Sequence, residues 1–234
     1  MNINFTDLDL QVLTNFSNIN GNIVFKKGNI QWTIKDSPTS IIARYELENN
    51  SQIPEEFYIY DLSEFLSFLD LFDNPTIKLL KDENKIIVSD DKKTSEYYCA
   101  DPKVCIVFRK DVILKDTFIE FELNKKQIKS INESSKKLNL PHIVFENKNG
   151  KVICLTTDKK NKSSNNVSFE IEKNTNQNFN CNFHIVNINK ILISNYRVRI
   201  SSQKIAEFVC KEIPLTYKIA LEPDSEFNSD KELK

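Results

Sequence analysis

Two histidines, five cysteines and a few adjacent carboxylates are the side chains in this 234-residue sequence with the types needed for catalysis or metal binding. His142 follows Pro141, and His184 sits between Phe183 and Ile185. Neither has a nucleophile or an acid at the spacing of Ser-His-Asp or Cys-His machinery. Cys99, Cys105, Cys154, Cys181 and Cys210 form no C-x-x-C pair, and no H-E-x-x-H occurs, so no metal site is expected. Asp82-Glu83 and Asp90-Asp91 read as turn formers at strand ends rather than acid–base pairs. Gly21, Gly28 and Gly150 are the only glycines, too few for a G-x-G-x-x-G turn or a Walker-type phosphate loop. The expectation is a protein without cofactor and without catalysis.

Charge is the remaining chemical signal. The 32 basic and 33 acidic residues nearly cancel, and with 28 Lys against four Arg only the placement of the lysines is informative. Residues 1–110 carry 12 basic and 17 acidic groups, residues 111–220 carry 18 and 11, and the last 14 residues carry 2 and 5. Contact with a polyanion is therefore expected in the second half. Within it, Asn124-Lys125-Lys126-Gln127 reads as a capping box that opens a helix. At 100° per residue Ile128, Ile131, Ser135 and Leu138 fall in a sector of about 80°, with Lys126, Lys129, Lys136 and Lys137 opposite and Lys125 on the flank. Glu133 interrupts the lysine face. Two readings stay open: the solvated side of a surface helix, or a phosphate-facing one.

The elements that would position this helix are mostly short strands. Ile30–Ile34, Glu56–Tyr60, Thr76–Leu80, Thr117–Leu123 and Val167–Ile171 alternate apolar and polar residues. Hairpins are expected to join Ile23–Phe25 with Ile30–Ile34 through Lys27-Gly28-Asn29, and Ile143–Phe145 with Val152–Leu155 through Asn149-Gly150. Three further helices are expected: Thr6–Ile19, with a neutral polar face of Gln11, Thr14, Asn15 and Asn18; the segment capped by Asp61, with Pro75 downstream; and a short one over Asn187–Ile193. Phe57-x-Ile59-x-Asp61-Leu62-x-x-Phe65-Leu66 matches Phe183-x-Ile185-x-Asn187-Ile188-x-x-Ile191-Leu192 at an offset of 126, and the caps Thr6 and Asn124 differ by 118. The chain therefore reads as an α+β duplication, with antiparallel sheets and two helices per domain. The domains are residues 1–105 and 117–223, with a connector over 106–116 and an acidic C-terminal tail over 224–234.

The longest apolar run, Val104 to Phe108, has five residues, against about 20 for a membrane span, and the N-terminus shows no signal peptide. An odd number of cysteines without framework spacing fits a reducing cytoplasm.

Four segments, in order, resemble one family: Val12-Leu13-x-Asn15-Phe16-x-x-Ile19-Asn20; Ile59-Tyr60-Asp61-Leu62-x-x-Phe65-Leu66; Ala100-Asp101-Pro102; and Tyr217-x-x-Ala220-Leu221-Glu222-x-Asp224-Ser225. They are similar to the DNA polymerase sliding clamps of T-even-like bacteriophages over most of the chain, residues 155–180 matching poorly. The resemblance implies duplicated clamp-type domains and a ring-forming homotrimer around duplex DNA, acting as a processivity factor in the cytoplasm of an infected bacterial host. Its implied partners are sequence-independent duplex DNA, DNA polymerase, a clamp-loader complex and other copies of itself, with no membrane. Four helices per chain give twelve per trimer; at about 9–10 Å spacing their axes form a circle roughly 36 Å across, leaving about 25 Å inside.

Because the first-half helices nearly lack Lys and Arg, the DNA-facing charge is expected from Lys125, Lys126, Lys129, Lys136 and Lys137, with Lys190 on the fourth helix. A partner-peptide groove is expected with walls from Ile106, Phe108, Tyr217, Leu221 and Pro223, although alternate members of these runs fit equally as core. The reading from another class is a duplicated α+β phage tail or scaffold protein, in which the lysine helix is only solvated surface.

Overall fold

The structure is a computed structural model and describes residues 2–35, 40–48, 51–106, 108 and 111–228. These form two compact units, divided between Asp111 and Val112.

Unit 1 begins with β1 (Asn2–Ile3) and α1 (Asp7–Ile19), continues through β2 (Ile23–Phe25), β3 (Ile30–Ile34), β4 (Ile41–Glu46) and β5 (Phe57–Ile59), and closes with α2 (Leu62–Leu69), β6 (Thr76–Leu80), β7 (Lys85–Ser89) and β8 (Thr94–Tyr98). The strands pair in the order β1-β6-β7-β8, β2 pairs with β5, and β3 with β4, all antiparallel. Thr6 caps α1 in a capping box with Asp9. Val12, Leu13 and Phe16 are fully buried beneath α1, each contributing about 1.5–3 kcal/mol of transfer free energy.

Asp9 does more than cap. It is fully buried, and its carboxylate accepts from Tyr45 Oη at 2.9 Å, Glu48 N at 3.2 Å, Thr6 N at 3.0 Å and Ser51 Oγ at 2.5 Å. One side chain thus ties α1 to β4 and to the loop after it. Burial, with the neighbouring Asp9 carboxylate, pushes the Tyr45 phenol above its ordinary range.

Unit 2 repeats the order: β9 (Ile119–Leu123), α3 (Lys125–Leu138), β10 (His142–Lys148), β11 (Lys151–Thr157), β12 (Asn166–Asn174), β13 (Asn178–His184), α4 (Ile185–Ile188), β14 (Tyr196–Ser201), β15 (Ile205–Cys210) and β16 (Leu215–Ala220), with an added β17 (Glu226–Asn228). Strands β9, β14, β15 and β16 pair successively, as β1, β6, β7 and β8 do in unit 1, and β13 pairs with β10 as β5 pairs with β2. Two copies of strand, helix, four strands, helix, three strands, with equivalent pairings, are the duplication expected from sequence.

The copies differ between their second and third strands. In unit 2, β10 and β11 form the expected hairpin, with Asn149 and Gly150 at φ 53° and 82°, the positive values that a two-residue turn requires. In unit 1 the expected hairpin is absent: β2 ladders with β5, as β10 does with β13, but not with β3. The reason lies in Gln31. Its side-chain carbonyl accepts from Lys26 N at 2.8 Å and its amide donates to Lys26 O at 2.8 Å and Gly28 O at 3.2 Å, taking groups the hairpin ladder needed. Gly28, at φ 99°, bridges Ile53. Accordingly Gln31 and Thr33 point inward, while Ile30 is exposed and Trp32 half-buried.

The fourth helix also differs from expectation. It is one turn, Ile185–Ile188, rather than a helix over Asn187–Ile193, because His184 Nδ1 accepts from Val186 N and starts the turn early. Among the described residues three helices, α1, α2 and α3, exceed one turn, not the four expected. In α1, Asn15 is buried rather than on the polar face. In α3, Leu138 is 42% exposed: Asn139 adopts the left-handed C-cap, Leu140 N donates to Ser135 O at 3.0 Å, and Leu140 fills the apolar position instead.

Candidate nucleic-acid interface

The lysine helix begins at a reciprocal cap. Asn124 Oδ1 accepts from Gln127 N at 3.0 Å and Gln127 Oε1 from Asn124 N at 2.9 Å, while Asn195 Oδ1 accepts from Lys125 N at 2.8 Å. Asn195 is itself fixed by Glu212, whose carboxylate also accepts from Ser194 Oγ at 2.6 Å. These hydrogen bonds, Ser194 first and Asn195 next, lower the Glu212 pKa to about 2. Ile128, Ile131 and Ser135 are buried, and Lys125, Lys126, Lys129, Lys136 and Lys137 are all exposed. Lys129 and Lys137 each approach Glu133, at 3.7 and 3.4 Å. Lys190 is half-buried in the turn after α4, and α3 lies against α4 within the unit.

A cavity of about 460 Å³ adjoins the start of α3, with Glu120, Glu122, Glu170 and Glu172 in its walls. Lys173 and Lys211 share those walls, and Lys211 Nζ lies 2.8 Å from Glu122 and Lys151 Nζ 2.7 Å from Glu170, so the carboxylates there are partly neutralised. No α1 or α2 residue is Lys or Arg, and the exposed positions of α1 include Gln11, Thr14 and Asn18.

Of the expected groove residues, Ile106 and Phe108 belong to unit 1 and Tyr217, Leu221 and Pro223 to unit 2. Ile106 N donates to Asn22 Oδ1 at 2.9 Å, and the Phe108 ring stacks on Trp32 at 4.4 Å with a 13° interplanar angle. Both line a cavity of about 270 Å³ with Trp32, Ile23 and Ile34, a wall that sequence reasoning missed because Trp32 alternates like any core strand residue. Val107, in the middle of the apolar connector run, lies outside the described residues, as do residues 229–234 of the acidic tail.

Tyr217 is a correction. It is fully buried, packs edge-on against Tyr196, and its hydroxyl accepts from Leu192 N at 3.3 Å, so it is core and not a groove wall. The parity of β16, with Leu215, Tyr217 and Ile219 inward, decides this. Leu221 is also buried, at 7% exposure, whereas Pro223 is exposed and its carbonyl accepts from Lys204 Nζ.

The side chains first suspected of chemistry hold structure. Asp90 accepts from Lys92 N and Lys93 N at 2.8 Å and from Asp73 N at 3.0 Å; the Asp73 N–H leads in pulling its pKa down. Lys81–Glu83 is a 3-10 turn, with Glu83 2.6 Å from Lys85 Nζ. His142 is buried 3.7 Å from Asp158, and burial, then Lys159, lowers its pKa. All five cysteines are buried and free, and among the described residues no three His, Cys, Asp or Glu gather as a metal site.

Residues 8–107 match the sequence profile of the family described as DNA polymerase processivity factor. The sliding clamp of Vibrio phage KVP40 is 28% identical over 223 residues, covering 91% of this chain and 96% of that one. The sliding clamp of Escherichia phage RB69 is 24% identical, covering 92% and 95%. Among solved structures, Proliferating Cellular Nuclear Antigen from Entamoeba histolytica superposes with a TM-score of 0.69 at 14% identity, covering 94% of this chain and 98% of that one. PCNA from A. fulgidus, solved with the C-terminal region of FEN-1 bound to it, gives 0.69 at 13%, covering 96% and 99%.

Proposed function

We propose that this chain, a sliding clamp and DNA polymerase processivity factor, acts as a homotrimeric ring that encircles duplex DNA and turns the lysine face of α3 toward the phosphates. The observation that carries the reading is α3 itself: five exposed lysines opposite a buried apolar stripe, on a helix capped at both ends. Each bound lysine adds to affinity without reading sequence, which is what a ring that must move requires.

Ring closure calls for strand edges that a second copy can pair. In unit 1, β8 ends its sheet; Tyr98 within it, and Tyr60 and Leu71 lining the same cavity, are exposed at 71%, 66% and 61%. In unit 2, the nine-residue β12 ends the other sheet. Head-to-tail pairing of one copy's β8 with the next copy's β12 removes both open edges, and the opposite net charges of the two halves favour that sense.

Partner peptides, from DNA polymerase and from a clamp loader, are proposed to use the apolar surface around Ile106 and Phe108, with the exposed Pro223 as a further candidate; Leu221, like Tyr217, is buried. The C-terminal region of FEN-1 bound to A. fulgidus PCNA supports docking of this kind. Clamps of this type work without catalysis, and none is proposed here. The free, buried cysteines fit the cytoplasm of an infected bacterium.

The test changes Lys126, Lys129, Lys136 and Lys137 together to Ala. Processive synthesis should fall steeply, and the slope of log affinity against log salt should flatten by about 0.9 for each phosphate left without its lysine. Light scattering should still give three times the single-chain mass. Unchanged synthesis and salt response in an intact trimer would return the lysines to solvated surface.

A further inference from the structure

The lysine face contains its own anion. Glu133 lies one turn from Lys129 on one side and one turn from Lys137 on the other, with Oε1 3.7 Å from Lys129 Nζ and Oε2 3.4 Å from Lys137 Nζ. Its carboxylate thus touches two of the five lysines, which stand about 12 Å apart along the helix. Lys125, Lys126 and Lys136 have no ion-pair partner among the described residues. All three members of the bridge are about half exposed or more, at 48% for Glu133, 65% for Lys129 and 75% for Lys137. Pairs this exposed are weak, so a phosphate oxygen can displace the carboxylate.

A carboxylate and a phosphate compete for the same ammonium groups, and a displaced Glu133 stays on the face as a like charge against the phosphate. We propose that Glu133 is a built-in brake on DNA contact: it holds Lys129 and Lys137 in line but weakens their grip, so that the clamp moves along the duplex. The inference rests on the reading that α3 faces the duplex. It treats Glu133 as a positioning residue that acts through the two lysines.

The experiment measures binding of the full-length clamp to a blunt duplex of about 30 base pairs by fluorescence anisotropy, across a sodium chloride titration. It compares wild type, Glu133→Gln, Lys126→Ala/Lys136→Ala, and Asp91→Asn, which removes one negative charge from an exposed hairpin tip in unit 1. Glu133→Gln should bind about two- to eightfold tighter near 0.1 M salt and steepen the salt slope by up to about 0.9. Asp91→Asn should match wild type. Single-molecule tracking of loaded clamps should show slower diffusion for Glu133→Gln. Weaker binding by the double lysine variant with Glu133→Gln unchanged would overturn the brake and keep α3 on the duplex. No change in either variant would overturn the brake together with the reading beneath it. A gain from Asp91→Asn equal to that from Glu133→Gln would reduce the effect to net charge and also overturn the proposal.

Discussion

Helices α1 and α3 occupy the same place in the two copies of the fold and start with the same device, yet they use it differently. In α1 the reciprocal cap partner, Asp9, is buried under Tyr45 and Ser51 and fastens the helix to its sheet. In α3 the corresponding Gln127 is only half-buried and its cap hydrogen bonds lie at the surface, anchored by Asn195. The outer faces differ as well: α1 shows Gln11 and Asn18 where α3 shows Lys129 and Lys136. Duplication preserved the cap, a backbone requirement that every helix start has. It left the outer face free to diverge, because no packing constrains it.

The contrast between a buried and a surface cap is tested most severely by Asp9→Ala. It strands the donors of Tyr45, Glu48, Thr6 and Ser51 in the interior of unit 1, and urea denaturation should show a loss of about 3 kcal/mol or more. A loss below about 1 kcal/mol would make Asp9 an ordinary cap. Transplanting the lysine face comes next. Gln11→Lys with Asn18→Lys should raise duplex affinity by up to about tenfold per added lysine and steepen the salt slope, provided that α1 also faces DNA. An unaltered slope would confine the cationic interface to α3.

Asn124→Ala, which opens the surface cap, should cost about 1 kcal/mol, clearly less than Asp9→Ala. The smallest effect concerns Glu212, the support of Asn195. Its folded pKa of about 2 lies below the ordinary value of 4.5, so its stabilisation is present above about pH 4.5 and is lost as pH falls toward 2. Melting temperatures of wild type and Glu212→Gln, followed from pH 6 to pH 2.5, should converge at the acid end. A constant difference would mean that the carboxylate charge contributes nothing.

The features legible in the amino-acid order are those that depend on near neighbours. The caps at Thr6, Asp61 and Asn124 rest on hydrogen bonds three residues long, the Asn149-Gly150 turn on two positive φ values, and the lysine face on the helical period. Each needs only a short stretch of chain, so each could be read without the fold. The order of elements in two copies followed from repeating these signals about 120 residues apart. Which strand meets which, and which side of each strand turns inward, emerged only when distant segments packed. Gln31 hydrogen-bonds the backbone of Lys26 and Gly28, so β2 forms no hairpin with β3 and keeps only its ladder to the distant β5. That choice, with the stacking of Phe108 on Trp32, turned an apolar alternation outward. Tyr217 went into the core by the parity of β16, and His184 began α4 early enough to limit it to one turn. The physical reason is common to all of these: alternation reveals that a strand has two faces, but the partner that covers one of them lies far away in sequence.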